Sequence, residues 1–168
     1  MNPVVSVIMG STSDLPVMEK ACALLDDMQV PFEVNALSAH RTPDAVEQFA
    51  RQAEGRGIKV IIAGAGMAAA LPGVIAASTI IPVIGVPIKG MLDGLDALLS
   101  IVQMPPGIPV ATVGVNGAQN AAILAVEMLA LGDSDLATRM KGYKEGLRTK
   151  IEKANAELSQ VKYSYKTN

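Results

Sequence analysis

The chain has 168 residues, a length typical of one domain, and half of them are hydrophobic, so it can bury a core without metal or disulfide links. A net charge of -2 and only 3% aromatic residues argue against nucleic-acid binding, which favours excess cations and stacking rings. The single cysteine, Cys22, excludes a disulfide framework and a thiolate zinc site. No basic segment precedes the first apolar run, so we expect a cytoplasmic protein without a secretory signal.

Apolar runs alternate with amphipathic segments along the whole chain. This pattern predicts βαβ units and a parallel sheet covered by helices on both faces. Three of the strands read VVSVIM, VIIA and PVIGV, without the polar alternation of a strand that faces water. In chain order we predict strand 4–9, helix 15–28, strand 32–37, helix 43–54, strand 59–63, helix 69–77, strand 82–86, helix 92–102, strand 110–115, helix 118–130 and a charged helix from 133 to about 160.

The charged residues are unevenly distributed. Residues 60–131 carry only four charged side chains, whereas residues 133–168 hold eight of the fourteen Lys and Arg. Residues 60–88 carry none, but three prolines and four glycines divide them into pieces too short to cross a membrane, so we expect buried core. A monomer needs more polar surface than this middle segment supplies. We therefore predict a homo-oligomer of one domain over 1–168, with an α/β core over 1–132 and a C-terminal helix and tail over 133–168 packing on a neighbouring subunit.

The candidate site lies where the predicted strands end. In an open parallel sheet, ligands bind beyond the carboxyl ends of the strands, which points to the loops after residues 9, 37, 63, 86 and 115. The first of these loops reads GSTSD over 10–14 and precedes a helix. Small residues let backbone amides close around an anion, and a helix N-terminus favours negative charge. The loop has more hydroxyls than one helix cap needs, which favours a phosphate site over a simple turn.

The second loop reads SAHRTPD over 38–44 and contains the only histidine of the chain and its first arginine. Arg41 can bind a phosphate through two parallel hydrogen bonds. Histidine can both donate and accept a proton near neutral pH. A lone histidine is more often structural than catalytic. His40, however, lies at a strand end beside a cation, in the region where the topology predicts a site. The catalytic and the structural role are therefore about equally open.

The third loop reads GAGMAA over 64–69 and matches the G-x-G-x-x-A dinucleotide fingerprint. A nicotinamide site would also need an acidic residue at the end of the next strand, and residues 83–86 contain none. We therefore reject a nicotinamide cofactor and interpret the glycines as allowing a ligand close to the backbone. No residue cluster predicts a metal site, and no G-x-S-x-G turn predicts a serine nucleophile.

Taken together, these segments resemble the PurE family, the N5-carboxyaminoimidazole ribonucleotide mutases of purine biosynthesis. The resemblance runs from about Val4 to Leu131 and is carried by GSTSD, SAHRTPD, AGAGMAAALPGVIAA, PVIGVP, GLDALLSIVQMPPGIPVATV and NAAILA. It implies a flavodoxin-like three-layer αβα sandwich with a parallel five-stranded sheet and a long C-terminal helix, assembled as an octamer. It also implies a small nucleotide substrate, no metal, no organic cofactor, and functional coupling to the synthetase that forms the unstable carbamate.

The resemblance also implies a role for each matching residue. The carbamate would lose carbon dioxide, the pocket would hold it, and a ring carbon would recapture it, with His40 as general acid and base. Ser11 and Asp14 would bind the substrate, with Asp14 at the ribose hydroxyls and Arg41 at the phosphate. The remaining predicted binding residues are Ser13 and Ser38 in the nucleotide site, and Gly64, Ala65, Gly66 and Ala68 around the carboxylate or released carbon dioxide.

Two residues depart from the commoner bacterial pattern GGAAHLPG, because Met67 replaces a glycine and Ala70 replaces a histidine. Two alternative functions stay open. One is direct carboxylation of aminoimidazole ribonucleotide by carbon dioxide, as in animal-type relatives, although SAHRTPD and SIVQMP favour the mutase. The other is a non-catalytic nucleotide-binding module on the same fold.

Overall fold

Five parallel strands form one sheet at the centre of the molecule, which a computed structural model describes over residues 1–168. The strands are β1 (Val5–Met9), β2 (Phe32–Ala36), β3 (Val60–Gly66), β4 (Val83–Ile88) and β5 (Ala111–Thr112). The helices are α1 (Leu15–Asp27), α2 (Pro43–Ala53), α3 (Leu71–Ala76), α4 (Leu95–Val102), α5 (Ala118–Ala130) and α6 (Ser134–Ser159). No helix combines the length and the apolar character needed to cross a bilayer.

The strand order is β2-β1-β3-β4-β5, and every neighbouring pair is parallel. One hydrophobic cluster joins the sheet to α1, α5 and α6, and a second joins the opposite face to α2, α3 and α4. The fold is therefore the predicted flavodoxin-like three-layer sandwich. Since the chain runs from β1 outward to β2 and later returns to β3 on the other side of β1, the switch point lies between β1 and β3.

The central strands are buried on both faces, as their apolar sequences predict. Val5, Val7 and Met9 of β1 pack in one cluster, while Ile8 packs in the other. Each fully buried aliphatic side chain contributes roughly 1.5–3 kcal/mol of transfer free energy, so alternate residues of one strand hold both helix layers. Edge strand β2 has no fully buried residue, which explains its more polar sequence.

Several elements at the carboxyl edge of the sheet begin or end at residues other than those predicted. Strand β3 was predicted to end at Ala63, but it continues to Gly66, because residues 64–66 pair with β4. Helices α3 and α4 begin two and three residues later than predicted, at Leu71 and Leu95. Left-handed backbone at Ala69 (φ 39°) and Asp93 (φ 55°) prevents the helices from starting earlier. Strand β5 was predicted over 110–115 and is regular only over its two residues.

Helix α6 packs on its own chain only near its start. The Asp133 carboxylate caps it by accepting hydrogen bonds from the amides of Asp135 (3.0 Å) and Leu136 (2.9 Å). Leu136 and Met140 are buried against the cluster that contains α5. Every residue from 145 to 159 is exposed, so the outer half of the helix packs on no other helix or strand of the chain.

Candidate functional site

A cleft of about 640 Å³ lies at the carboxyl edge of the sheet, across the switch point. The loops after β1 and β2 form one side, which is rich in hydroxyl and charged groups. The loops after β3 and β4 form the other side, which is mostly apolar. The lining residues are Gly10, Ser11, Ser13, Asp14, Ser38, Ala39, His40 and Arg41 on the polar side, and Ala65, Gly66, Met67, Ala68, Ala69, Ala70, Leu71, Ile88, Lys89 and Gly90 on the apolar side.

The loop after β1 is a tight polar turn. Its residues Thr12–Asp14 form a short 3₁₀ turn, in which the Ser11 hydroxyl accepts a hydrogen bond from the Ser13 amide (3.3 Å). The Ser13 hydroxyl donates to the Asp14 carboxylate (3.4 Å). Partial burial raises the pKa of the Asp14 carboxyl above its usual value, against the opposing effects of hydrogen bonds at Ser13 and Ser11 and the charge of Arg41. Asp14 is thus a half-buried acceptor beside a cation.

The loop after β2 is closed by Ser38 and Thr42. The Thr42 hydroxyl accepts a hydrogen bond from the Ser38 amide (3.0 Å) and donates one to the Ser38 carbonyl (3.1 Å). Thr42 holds the N-cap position of α2 as predicted, but its side chain makes no capping bond, because it is used in this loop closure. The Arg41 amide donates to the Ser38 hydroxyl (3.2 Å). The closed loop presents His40 and Arg41 to the cleft.

The Arg41 guanidinium joins the two polar loops. Its Nη2 donates to the carbonyl of Gly10 (2.8 Å), and its Nε donates to the hydroxyl of Ser38 (3.2 Å). The side chain is therefore held in one orientation by both strand-end loops. Its Nη1 has no bond of this kind, so a bound anion could accept a charge-assisted hydrogen bond from it.

The loop after β3 is apolar and strained. Met67 (φ 57°) and Ala69 (φ 39°) have left-handed backbone, and the Ala69 amide donates to the Gly66 carbonyl (3.0 Å). Met67 is exposed at the rim of the cleft, whereas Ala69 is buried beneath it. The wall therefore offers methyl groups and backbone, with no side chain that would compete for a proton.

Of the predicted site residues, only Gly64 lies outside the cleft lining. It is buried in β3, where a Cβ would lie 2.5 Å from Sδ of Met18, so its small size lets α1 approach the sheet. The structure brings the other nine together: Ser11, Ser13, Asp14, Ser38, His40, Arg41, Ala65, Gly66 and Ala68. The loop after β5 does not line the cleft, although the topology rule included it.

The topology rule included the loop after β4, but the sequence analysis named no site residue there. Ile88, the last residue of β4, and Lys89 and Gly90, which follow it, line the cleft. One available signal was that Lys89 is among only four charged residues between 60 and 131. Asn116, in the loop after β5, does not line the cleft but anchors the backbone of Lys89, because its Oδ1 accepts a hydrogen bond from the Lys89 amide (2.9 Å).

A larger cavity of about 870 Å³ lies at the opposite edge of the sheet, around the amino ends of the strands. Two of its three charged residues already have structural roles: Asp133 caps α6, and Nε of Arg139 donates to the carbonyl of Met28 (3.0 Å). It has no histidine and no hydroxyl-rich strand-end turn. We therefore place the candidate site in the smaller cleft, where the topology predicts it.

The fold and the cleft define a flavodoxin-like α/β protein with an open cleft at its switch point. A sequence model of the AIR carboxylase family matches residues 4–150. The chain is 60% identical over 147 residues to N5-carboxyaminoimidazole ribonucleotide mutase of Pyrococcus abyssi, a match that covers 87% of this chain and 84% of that protein. The chain therefore belongs to the AIR carboxylase family, which includes the PurE proteins.

Two further relatives describe the range of the family. The chain is 54% identical over 162 residues to phosphoribosylaminoimidazole carboxylase of Candida glabrata, covering 96% of this chain but 28% of that longer protein. The crystal structure of Treponema denticola PurE matches the fold with a TM-score of 0.86 at 30% identity, covering 94% of this chain and 99% of that one.

Proposed function

We propose that this chain converts N5-carboxyaminoimidazole ribonucleotide into 4-carboxy-5-aminoimidazole ribonucleotide in purine biosynthesis, in the cytoplasm. The observation that carries the proposal is that relatives named as this mutase are 51% to 60% identical over most of the chain. The cleft supports it independently, because it combines an anion-binding side, one imidazole and an apolar wall. The reaction needs those three features.

The polar side is suited to the ribose phosphate. The Asp14 carboxylate can accept hydrogen bonds from the two ribose hydroxyls. The phosphate would bind at Arg41 Nη1 and the hydroxyls of Ser11 and Ser13, close to the N-terminus of α1. Ser38 holds the Arg41 side chain in place and so contributes to the same subsite.

His40 would move one proton in each direction during turnover. Loss of carbon dioxide from the carbamate breaks an N–C bond and leaves an amine nitrogen that must gain a proton, which protonated His40 can donate. The ring carbon then attacks carbon dioxide, a C–C bond forms, and that carbon must lose its proton to restore aromaticity. Neutral His40 can accept this proton, so the proton balance closes without a second group.

The apolar wall would retain the carbon dioxide between the two steps. Carbon dioxide is uncharged and has no hydrogen to donate, so a wall of Ala65, Gly66 and Ala68 can hold it without polar groups. Retention matters because a well-oriented molecule held beside the ring reacts with a high effective concentration, which can reach about 10⁵–10⁸ M. A molecule that escapes to solvent loses that advantage.

Direct carboxylation of aminoimidazole ribonucleotide is the second candidate function. It is favoured by the carboxylase names of the fungal relatives, whose sequences are as similar to this chain as those of many mutases. Those proteins are several times longer than this chain, so their overall activity includes regions that the match does not cover.

The test measures formation of the carboxylated product, by ultraviolet absorbance, from two starting materials. One is freshly prepared carbamate, and the other is aminoimidazole ribonucleotide with bicarbonate. We expect rapid conversion of the carbamate and little conversion at modest bicarbonate concentration. Efficient use of bicarbonate would instead assign the carboxylase activity, and inactivity with both would favour a binding module.

The acid–base role has its own variant. His40→Asn should lower kcat by roughly 10²–10⁴-fold, the usual contribution of a positioned acid or base, while leaving binding of the product nearly unchanged. Because His40 is exposed at the rim, folding should be unaffected. Substantial turnover by the asparagine variant would show that another group transfers the proton.

We also propose that the chain forms a homo-oligomer, with the octamer as the specific expectation. Helix α4 exposes Leu95, Leu99 and Val102, each at least 45% accessible, on the charge-poor segment. The unpartnered half of α6 exposes Leu147 and Ile151, one turn apart. Second copies of the chain would cover both surfaces. Sedimentation or light scattering should give a mass of eight 17.4 kDa chains, and a monomer at micromolar concentration would refute the proposal.

A further inference from the structure

Lys89 is the one charged residue on the apolar side of the cleft. The lining contains two permanent cations, Arg41 and Lys89, and a single carboxylate, Asp14. The proposed substrate carries two separate anionic groups, a phosphate and a carboxylate. Arg41 belongs to the polar side, where the phosphate is expected, so the carboxylate at the reacting end would have no permanent cation unless Lys89 supplies it.

The backbone of Lys89 is anchored from the neighbouring strand-end loop. Its amide donates to Oδ1 of Asn116 (2.9 Å), and the Asn116 amide donates to the Pro87 carbonyl (2.8 Å). Asn116 itself has left-handed backbone (φ 57°), a conformation that asparagine tolerates better than most residues. The start of the Lys89 side chain is therefore fixed by the fold and not by a mobile loop.

The segment after Lys89 folds back on it. Leu92 (φ 46°), Asp93 (φ 55°) and Gly94 (φ 89°) are three consecutive left-handed residues, and the Gly94 amide donates to the Met91 carbonyl (2.9 Å). A Cβ on Gly94 would lie 2.6 Å from Cγ1 of Val115 and 3.2 Å from the Lys89 Cα. Only a glycine permits so tight a return, which brings Oδ1 of Asp93 within 3.2 Å of the Lys89 Nζ.

The resulting ion pair is weak enough to exchange. Lys89 is 58% exposed and Asp93 is 89% exposed, and exposed pairs of this kind contribute little to stability. A ligand carboxylate in the cleft can therefore replace Asp93 at Lys89 without a large cost. We infer that Lys89 binds the carboxylate group of substrate and product, with Asp93 as its partner in the free protein.

This inference rests on the proposed function and assigns a cation to its reacting end. The inference predicts that Lys89 affects ligand selectivity. Lys89 should strengthen binding of the carboxylated product more than binding of aminoimidazole ribonucleotide, which carries the same phosphate but no carboxylate. A cation that acted only through the overall field of the cleft would affect both ligands alike.

The test compares the Kd values of these two nucleotides by calorimetry for the full chain and its variants. Lys89→Met should weaken product binding about tenfold or more, the loss of a hydrogen bond to a charged group, and weaken aminoimidazole ribonucleotide less than about threefold. Lys89→Arg should largely restore product binding. Asp93→Asn should act in the opposite direction and tighten product binding by about 1.5- to 5-fold, because it removes the competing partner of an exposed pair.

Lys144→Met is the matched control. Lys144 is 60% exposed and paired with Glu127, but it lies on α6, away from the cleft. Its substitution should leave both Kd values unchanged, and thermal melts should show that all variants are folded. Equal weakening of both nucleotides by Lys89→Met, no weakening of either, or weaker product binding in Asp93→Asn would each overturn the inference. Failure of the unmodified chain to convert the carbamate would instead refute the proposed function.

Discussion

The three nitrogens of the Arg41 guanidinium should be more important for phosphate binding than its charge alone. Arg41→Lys keeps the positive charge but replaces three nitrogens with one, so the bonds to the Gly10 carbonyl (2.8 Å) and the Ser38 hydroxyl (3.2 Å) cannot both survive together with a bond to the ligand. A lysine that binds the phosphate releases the two loops, and a lysine that holds the loops releases the phosphate. Either outcome removes at least one charge-assisted hydrogen bond, worth about 1.5–3 kcal/mol.

This loss corresponds to a Kd for aminoimidazole ribonucleotide that is raised roughly 10- to 150-fold, since 1.4 kcal/mol is a factor of ten. Calorimetric titration measures it, with the nucleoside that lacks the phosphate as a second ligand that should bind Arg41→Lys and the unmodified chain about equally. Arg51→Lys is the control, because the Arg51 fork also donates through Nε (2.9 Å) and Nη2 (2.6 Å), but to Glu47 on the surface of α2. Unchanged affinity in Arg41→Lys, or equal loss for the nucleoside, would refute the assignment of Arg41 to the phosphate.

Four further predictions concern Asp14 and two glycines. Asp14→Asn should raise KM by roughly 10- to 150-fold through the ribose hydroxyls without lowering the Tm, because burial disfavours the Asp14 charge. Since the pKa of Asp14 is raised in the folded protein, substrate affinity should fall as the pH drops through that raised pKa, while the Asp14 contribution to folding stability rises. A KM that stays flat from neutral pH down to 3.8, the usual value of this pKa, would contradict this. Gly85→Ala should cost about 1–3 kcal/mol in urea unfolding, because its Cβ would overlap Cγ2 of the buried Ile101. Gly146→Ala, in open space on α6, should instead stabilise the fold by up to about 1 kcal/mol.

The amino-acid pattern is sufficient for the layers of this fold because its central strands are apolar on both faces. A strand such as VVSVIM can bury the apolar side chains of both its faces only between two helix layers. The alternation of strands and helices then requires parallel strands. The sheet order did not follow from periodicity and came from the family resemblance. The end of β3 was missed because Gly64 and Gly66 have little intrinsic preference for a strand, and only their pairing with β4 places them there.

The later starts of α3 and α4 have a similar cause. Ala69 and Leu92 are good helix formers by local preference, so a sequence pattern extends the helices over them. In the structure both are left-handed, because the chain must turn from a strand end into a helix on the sheet face. Such positions cost about 1–3 kcal/mol each and persist only where surrounding contacts require them.

The two sides of the cleft are held by different forces, and this difference decides what a sequence can reveal. The polar side has no left-handed residue and is fixed by hydrogen bonds. Ser11 bonds with Ser13, Ser38 bonds with Arg41 and Thr42, and Arg41 also donates to the Gly10 carbonyl. Its residue types are uncommon in a buried strand end, so they stand out in the sequence.

The apolar side is fixed by packing and by left-handed backbone. Alanine and leucine residues in a sequence do not indicate where such a backbone conformation occurs. Lys89 belongs to that side, and its importance depends on the tight return at Gly94 and on the anchor from Asn116, neither of which is visible until the loops after β4 and β5 are brought together. Perturbing the two sides should therefore require different substitutions: removal of single hydroxyls for the polar side, and added Cβ atoms, as at Gly94, for the apolar one.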